Sequence, residues 1–291
     1  MDLSFLAFFL VKGLEISAPI AYASLGAVFS ERGGVVNIAM EGIMTVTSLA
    51  LVWGAITFHS IWMGLLVAVV SGMLMGLLHA VVTVSFKVDH VVSGVAINVF
   101  AVGLSRFLCQ SSFGQETQSA INSRMFPSWL GINSLAFWLV PIVALSWFVI
   151  NRTVFGLRLR SVGENPEAAD TLGVNVYLMR YTGVVISGAL CGLGSCTLFA
   201  DKWISGMVAG RGYMALAATI FGRWDPVGAV LASLLFGYAD TVRIVFETMI
   251  PIPVQFVQMF PYVLALVVLA GVAGKSRAPA ADGRNFEKGE G

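Results

Sequence analysis

Glu41 is the residue whose place in this chain most demands a reason. It lies in the run VVNIAMEGIM, apolar on both sides, and a carboxylate among apolar residues is costly unless something binds it. Asn37 precedes it by one helical turn, so on a helix the two share a face. Two chemistries fit. The pair lines a path and hydrogen-bonds a polar solute, or it belongs to a packing network in which Glu41 bonds neighbouring backbone. Gly42 allows a second backbone to approach. In HVVSGVAINVF, Asn98 follows Gly94 by one turn; it faces the path or serves as glue between helices. Ser93 contacts solute or bonds its own helix backbone. With Gly212, in the stretch holding Gly206 and Gly210, the candidate pathway set is Asn37, Glu41, Ser93, Asn98 and Gly212.

A second kind of chemistry is recognition on a polar surface. The island RLRSVGENPEAADTLGVNVYLMR, residues 158–180, separates long apolar runs. Asn165 can cap a helix, Pro166 suits its first position, Glu167 its first turn, and Gly173 can end it after Leu172. So short a helix is unstable alone in water and implies a partner surface. The candidate docking residues are Glu164, Asn165, Pro166, Glu167, Asp170, Thr171 and Gly173. Arg158, Arg160 and Arg180 flank the island and are placed to touch lipid phosphates or to aid docking.

Other chemistries are absent. There is no GxxxxGK[ST] phosphate loop, no nucleophile–base arrangement and no carboxylate pair placed for hydrolysis. The three histidines are scattered, and Cys109, Cys191 and Cys196 have no metal or disulfide spacing. No metal and no cofactor is expected, and the chain does not read as an enzyme. Asp240 and Arg243 are spaced to pair with each other.

The elements that must position these residues are membrane helices. Of 291 residues, 57% are hydrophobic and 11% charged, about half the charge of a soluble domain; mean hydropathy is +0.86. Formal net charge is +1, so bulk charge says nothing about nucleic acid or acidic partners; no nucleic-acid partner is expected. The apolar runs predict an all-α polytopic protein with about 8–10 transmembrane helices. The spans fall at 8–30, 35–57, 61–85, 91–109, 134–151, 179–200, a short segment at 210–223, 226–246 and 256–273. The N-terminal run is read as the first span, with residues 1–12 along the interface because of Lys12. Residues 1–273 form the membrane domain, with a cytoplasmic segment at about 152–178; the polar tail 274–291 is expected to be disordered and cytoplasmic. Lys and Arg near span ends put the island inside, together with Arg32, Lys87, Arg152, Arg223, Lys275 and Arg277.

A faint repeat runs through this order. Gly33 and Gly34, a polar-containing segment, a break and an apolar helix with Gly64, Gly72 and Gly76 are matched by Gly206, Gly210 and Gly212, a short helix, the break GRWDP and a helix with Gly228 and Gly237. Inverted repeats with glycine-broken helices mark the midplane site of many transporters. Gly72-x-x-x-Gly76 and Gly188-x-x-x-Gly192 allow tight helix contacts.

Four blocks in order carry a family resemblance: SERGGVVNIAMEGIM, HVVSGVAINVFAVGL, GLRLRSVGENPEAADTLGVNVYLMRYTGVVISGALCGLGS and GRGYMALAATIFGRWDPVGAV. Together they resemble the permease subunits of bacterial ABC importers for nucleosides and simple sugars, within the wider ribose-type and branched-chain amino acid permeases. The resemblance implies an inner-membrane importer subunit whose pore takes a second permease, a different and longer chain. It also implies cytoplasmic ATPase subunits that dock on the coupling helix at 166–172, and a periplasmic or lipid-anchored solute-binding protein. Relatives often read NIGLEG and GRWNP where this chain has Ala39-Met40 and Asp225, which leaves the solute open. A sugar or branched-chain amino acid permease is the neighbouring reading. An ion-coupled secondary transporter would need Glu41 or Asp240 to titrate, and a scaffold without transport would not need glycine-broken helices.

Overall fold

The structure is a computed structural model that describes residues 3–122, 125–129, 132–198, 201–249 and 277–288, with isolated positions between 255 and 270. Ten α-helices make up nearly all of the described regular structure: α1 (Leu3–Arg32), α2 (Met40–Thr57), α3 (Ile61–Ala80), α4 (His90–Phe113), α5 (Ser134–Arg152), α6 (Val154–Glu164), α7 (Pro166–Thr171), α8 (Val176–Thr197), α9 (Arg211–Phe221) and α10 (Pro226–Met249). One π turn, Val81–Ser85, extends α3. A small antiparallel pair, β1 (Ser128–Trp129) and β2 (Ile132–Asn133), lies in the loop before α5.

Polar side chains at the helix starts explain several of the boundaries. Asp89, Asn133, Thr153, Asn165 and Asn175 accept backbone N–H bonds at the starts of α4, α5, α6, α7 and α8. Among the described residues seven helices are long and apolar enough to cross a membrane. The expected short segment is α9, whose 11 residues reach about 16 Å, half of a hydrocarbon core. The expected span 256–273 lies outside the continuously described residues. Residues 3–12 continue α1 without a break, its membrane-length stretch running from Phe8 to Arg32, and Lys12 pairs with Glu15 one turn on at 2.8 Å.

The packing follows the repeat. Helices α1 and α8 cross at the centre; α10 lies on α1 as α3 lies on α8, and α9 and α2 insert against the same pair. The two glycine motifs meet. Any Cβ on Gly72 or Gly188 would strike the other's carbonyl, so the backbones of α3 and α8 are in direct contact. At the equivalent crossing of α1 and α10, Gly237 admits Ser17.

The chain has a basic end and an opposite end. At the basic end the Arg32 guanidinium donates to the carbonyls of Trp224 (2.9 Å) and Arg223 (3.4 Å). Trp224 and Arg223 both have positive φ, and the Trp224 indole donates to the buried Glu31 carboxylate. This locks the turn between α9 and α10 onto the end of α1. At the opposite end Trp203 donates through its indole to Ser48 (3.0 Å) and through its backbone to Ser119 (2.9 Å).

The tail differs from expectation. Residues 277–288 lie against the basic end, with Ala281 and Phe286 buried. Arg180 differs too: it is 2% exposed, not at the lipid surface, and donates to the Arg284 carbonyl at 2.8 Å.

Candidate functional site

Between α1 and α2 the chain is not helical. Gly33 and Gly34 turn it, with Gly34 at φ +83°, and Val35–Asn37 have no regular structure before α2 begins at Met40. Asn37 and Glu41 therefore do not share a helix face. The Asn37 amide points to α8 and donates to Ser187 Oγ at 2.9 Å. Glu41 points the other way, to the start of α9.

That start lacks a cap of its own. Gly210 occupies the N-cap position without a side chain to offer, and unsatisfied N–H groups inside a bilayer are costly. Glu41 supplies the acceptors: Oε1 takes the Gly210 N–H and Oε2 the Gly212 N–H, both at 2.8 Å. An anion at a helix N-terminus is favoured by the dipole as well. Gly212 is required by this fit, because a Cβ there would lie 2.5 Å from the Glu41 nitrogen.

The start of α2 is capped from outside in the same way. Ala39 provides no side-chain bond, and Asn98 of α4 accepts the Gly42 N–H at 2.7 Å. The Asn98 amide donates to the Ile38 carbonyl and to the Tyr213 hydroxyl, each at 3.0 Å. The short helix α9 thus meets the start of the longer α2 tip to side, each held by a polar side chain from elsewhere. Of the pathway set, the structure brings together Glu41, Asn98 and Gly212.

A cavity of about 440 Å³ opens beside this junction, lined by Glu41, Thr45, Asn98, Ser105, Arg106 and Tyr213 among others. Its size is that of small-molecule sites, and its mix of apolar wall and convergent polar groups is theirs as well. Asn37 and Ser93 are not in its lining. Ser93 Oγ lies 3.0 Å from His79 Nδ1, whose Nε2 lies 3.1 Å from the Val36 carbonyl, and His90 Nδ1 accepts the Val36 N–H at 3.2 Å. This cluster fixes the break. No local spacing announces it, because the two histidines meet at Val36, 43 and 54 residues away in the chain.

Asp240 pairs with Arg243 at 2.5 Å, as the spacing predicts, and lies 3.9 Å from Arg211. The departures from the family pattern are conservative in structure. Asp225 accepts the N–H groups of Val227 and Gly228 at the start of α10, a task asparagine performs equally. Ala39 sits in right-handed helical geometry, which tolerates a Cβ.

The polar island folds as α6 and α7. Asn165 Oδ1 accepts the Ala168 N–H at 2.9 Å, Pro166 opens α7, and Gly173 closes it at φ +80°. Glu164, Asn165, Glu167, Thr171 and Gly173 are exposed, and Pro166 and Asp170 half-buried. Asp170 faces Lys288 of the tail at 3.7 Å. Leu172, which sequence reasoning passed over as the end of a helix, is 84% exposed and is the apolar tip of the segment.

Residues 9–269 match the family model described as branched-chain amino acid transport system / permease component. The chain is similar to the nucleoside ABC transporter permease protein NupC of Lactococcus lactis subsp. cremoris, 44% identical over 94% of this chain and 95% of that one. It is similar to the guanosine ABC transporter permease protein NupQ of Bacillus subtilis, 37% identical over 95% of each. A putative glucose ABC transporter permease protein of Haloferax volcanii, TsgC13, is 33% identical over 83% of this chain and 78% of its own length.

Proposed function

The chain belongs to the permease components of the branched-chain amino acid transport system family, multi-pass membrane proteins that move solute rather than transform it, and we propose that it forms half of the membrane pathway of an ATP-driven nucleoside importer. The observation that carries the solute class is the cavity beside the Glu41–α9 junction. Both Glu41 oxygens are engaged by backbone N–H groups at the start of α9, so the carboxylate serves the junction, and Arg106 in the same wall disfavours a cationic solute. What it offers is hydrogen-bonding groups on Thr45, Asn98 and Ser105 beside the ring of Tyr213. An uncharged solute with an aromatic base and several hydroxyls fits that chemistry. Likeness over nearly the whole length to two permeases named for nucleosides supports the same reading.

In this reading Asn98, Thr45 and Tyr213 face the solute. Asn37, Ser93 and Gly212 shape the backbone behind it, and Glu41 holds α2 and α9 together. Permeases of this family work with ATPase subunits, a solute-binding protein and a second permease. Here α7, with Glu167, Thr171 and Leu172 outward, receives the ATPase, and the basic end therefore faces the cytoplasm. The second permease is a different, longer chain that completes the pathway, and the binding protein delivers solute at the opposite end in the periplasm or at the outer surface.

The test is uptake by proteoliposomes holding the complete complex. Labelled guanosine should enter only with ATP inside the ATPase compartment, and excess inosine should compete while excess glucose or leucine should not. Competition by glucose would transfer the chain to the sugar reading that its likeness to the putative glucose permease favours. Uptake that needs a proton gradient and ignores ATP would remove it from this mechanism.

A further inference from the structure

The basic end carries a feature that the docking of an ATPase on α7 does not use: an ordered C-terminal strap. From Pro279 to Lys288 it crosses the ends of four elements and bonds each. The Ala281 N–H donates to the Gly163 carbonyl at the end of α6 (2.9 Å), and the Ala280 N–H to Glu164 (3.3 Å). The Gly283 N–H donates to the Gly34 carbonyl in the break between α1 and α2 (3.2 Å). Arg180 of α8 donates to the Arg284 carbonyl (2.8 Å). Asn285 donates to the Lys87 carbonyl before α4 (2.7 Å), and Lys87 forms an ion pair with Glu287.

Apolar burial anchors the strap. Phe286 is 6% exposed, with its ring 5.6 Å from that of Tyr177. The Asp282 carboxyl is buried beside Arg180 and Glu31. Gly163, Gly34 and the Arg32 carbonyl are already in van der Waals contact, so the strap closes a junction where the coupling segment touches the break. Three residues beyond Gly34 the same break reaches Asn37, and four further on Glu41.

We propose that the strap, Pro279–Lys288, is a positioning element of energy coupling that clamps the α6–α7 segment to the Gly33–Ala39 break, so that displacement of α7 moves the base of α2. The inference rests on the reading that α7 receives the ATPase. Without the clamp α6 and the break keep the packing of Gly163 against Arg32 and Gly34 and of Leu159 against Gly33, which resists compression more than separation. With it, a pull on α7 is carried by backbone hydrogen bonds on both sides of Asp282, to Gly163 and to Gly34. Lys288 opposite Asp170 ties the far end of the strap to α7 itself.

The experiment compares the intact complex with a chain ending at Ser276 and with Phe286→Ala, each complex reconstituted with its ATPase and binding protein. Three quantities are read: ATPase co-purified per permease, ATP hydrolysed, and solute taken up per ATP. The strap predicts unchanged co-purification and continued hydrolysis, with uptake per ATP falling about tenfold on truncation and about threefold for Phe286→Ala. Uptake per ATP equal to the intact complex in both variants overturns the proposal. So does loss of ATPase from the Phe286→Ala complex, which would make the strap a docking surface. Glu167→Ala with Thr171→Ala tests the underlying reading separately, through co-purification alone.

Discussion

The helices that meet at the cavity, α2 and α9, and the proposed coupling helix α7 solve one problem in opposite ways. A helix start leaves N–H groups without partners. In α7 the remedy is local: Asn165 caps, Pro166 has no N–H to satisfy, and Gly173 ends the helix eight residues after the cap. In α2 and α9 the remedy comes from far along the chain, from Asn98 for Gly42 and from Glu41 for Gly210 and Gly212. A self-capped helix keeps its form wherever it is moved. A helix capped by a neighbour exists only while the neighbour is in place. The segment proposed to receive the ATPase is thus built as a rigid piece, and the segments beside the cavity are built to depend on one another.

The sharpest way to break this contrast is to remove the fit at the tip of α9. Gly212→Val drives side-chain atoms into Glu41 and should abolish both folded protein and uptake, read by detergent-stable yield. Glu41→Gln comes next. An amide turns one capping acceptor into a donor facing a donor, so uptake per permease should fall about thirtyfold, the equivalent of about 2 kcal/mol for an unsatisfied buried pair, while expression stays within about twofold. Normal uptake at normal expression would show that the cap from afar is dispensable.

On the coupling side, Leu172→Asp should weaken ATPase binding about tenfold, as loss of an apolar anchor does, with yield unchanged. Replacing Glu167, Asp170 and Thr171 together should act in the same direction. Asn165→Ala sharpens the comparison at smaller amplitude. Losing a local cap costs about 1 kcal/mol, and co-purification should fall a fewfold without any effect on yield.

The smallest effect is a pH dependence of the strap. Burial pushes the Asp282 carboxyl up to about 7, opposed by the Gly283 N–H and by Arg180; Glu31 of α1 also faces it. A carboxyl whose docked pKa is raised favours docking while protonated. The contribution is full below its free value near 4, and it is lost as pH rises through about 7. Spin labels at Phe86 and Lys288 should report one distance at about pH 5 and a broader spread at about pH 8.5. Asp282→Asn should hold the narrow distribution at both.

Much of this was legible before the structure. Apolar runs located the spans, the two glycine motifs proved to be each other's partners, and Asn165, Pro166 and Gly173 marked α7 because all its signals are local. The spacing from Glu41 misplaces Asn37 because α2 starts only at Met40 and the chain before it is not helical, and its partner Ser187 lies 150 residues away. The tail was read as disordered from its polarity, yet its order rests on the carbonyls of Gly34 and Gly163, acceptors that only a finished fold leaves open. Arg180 looked like a surface charge for the same reason: the strap that covers it is distant in sequence.

The crossing of α3 and α8 has a mechanical meaning. Where Gly72 meets Gly188 there is no side chain between the two backbones, hence no compressible layer and no groove along which one helix could slide past the other. Gly76 against Gly188 and Gly192 against Ala68 lengthen it along both helices. Such a contact behaves as a splint, and two helices splinted over that length travel as one piece.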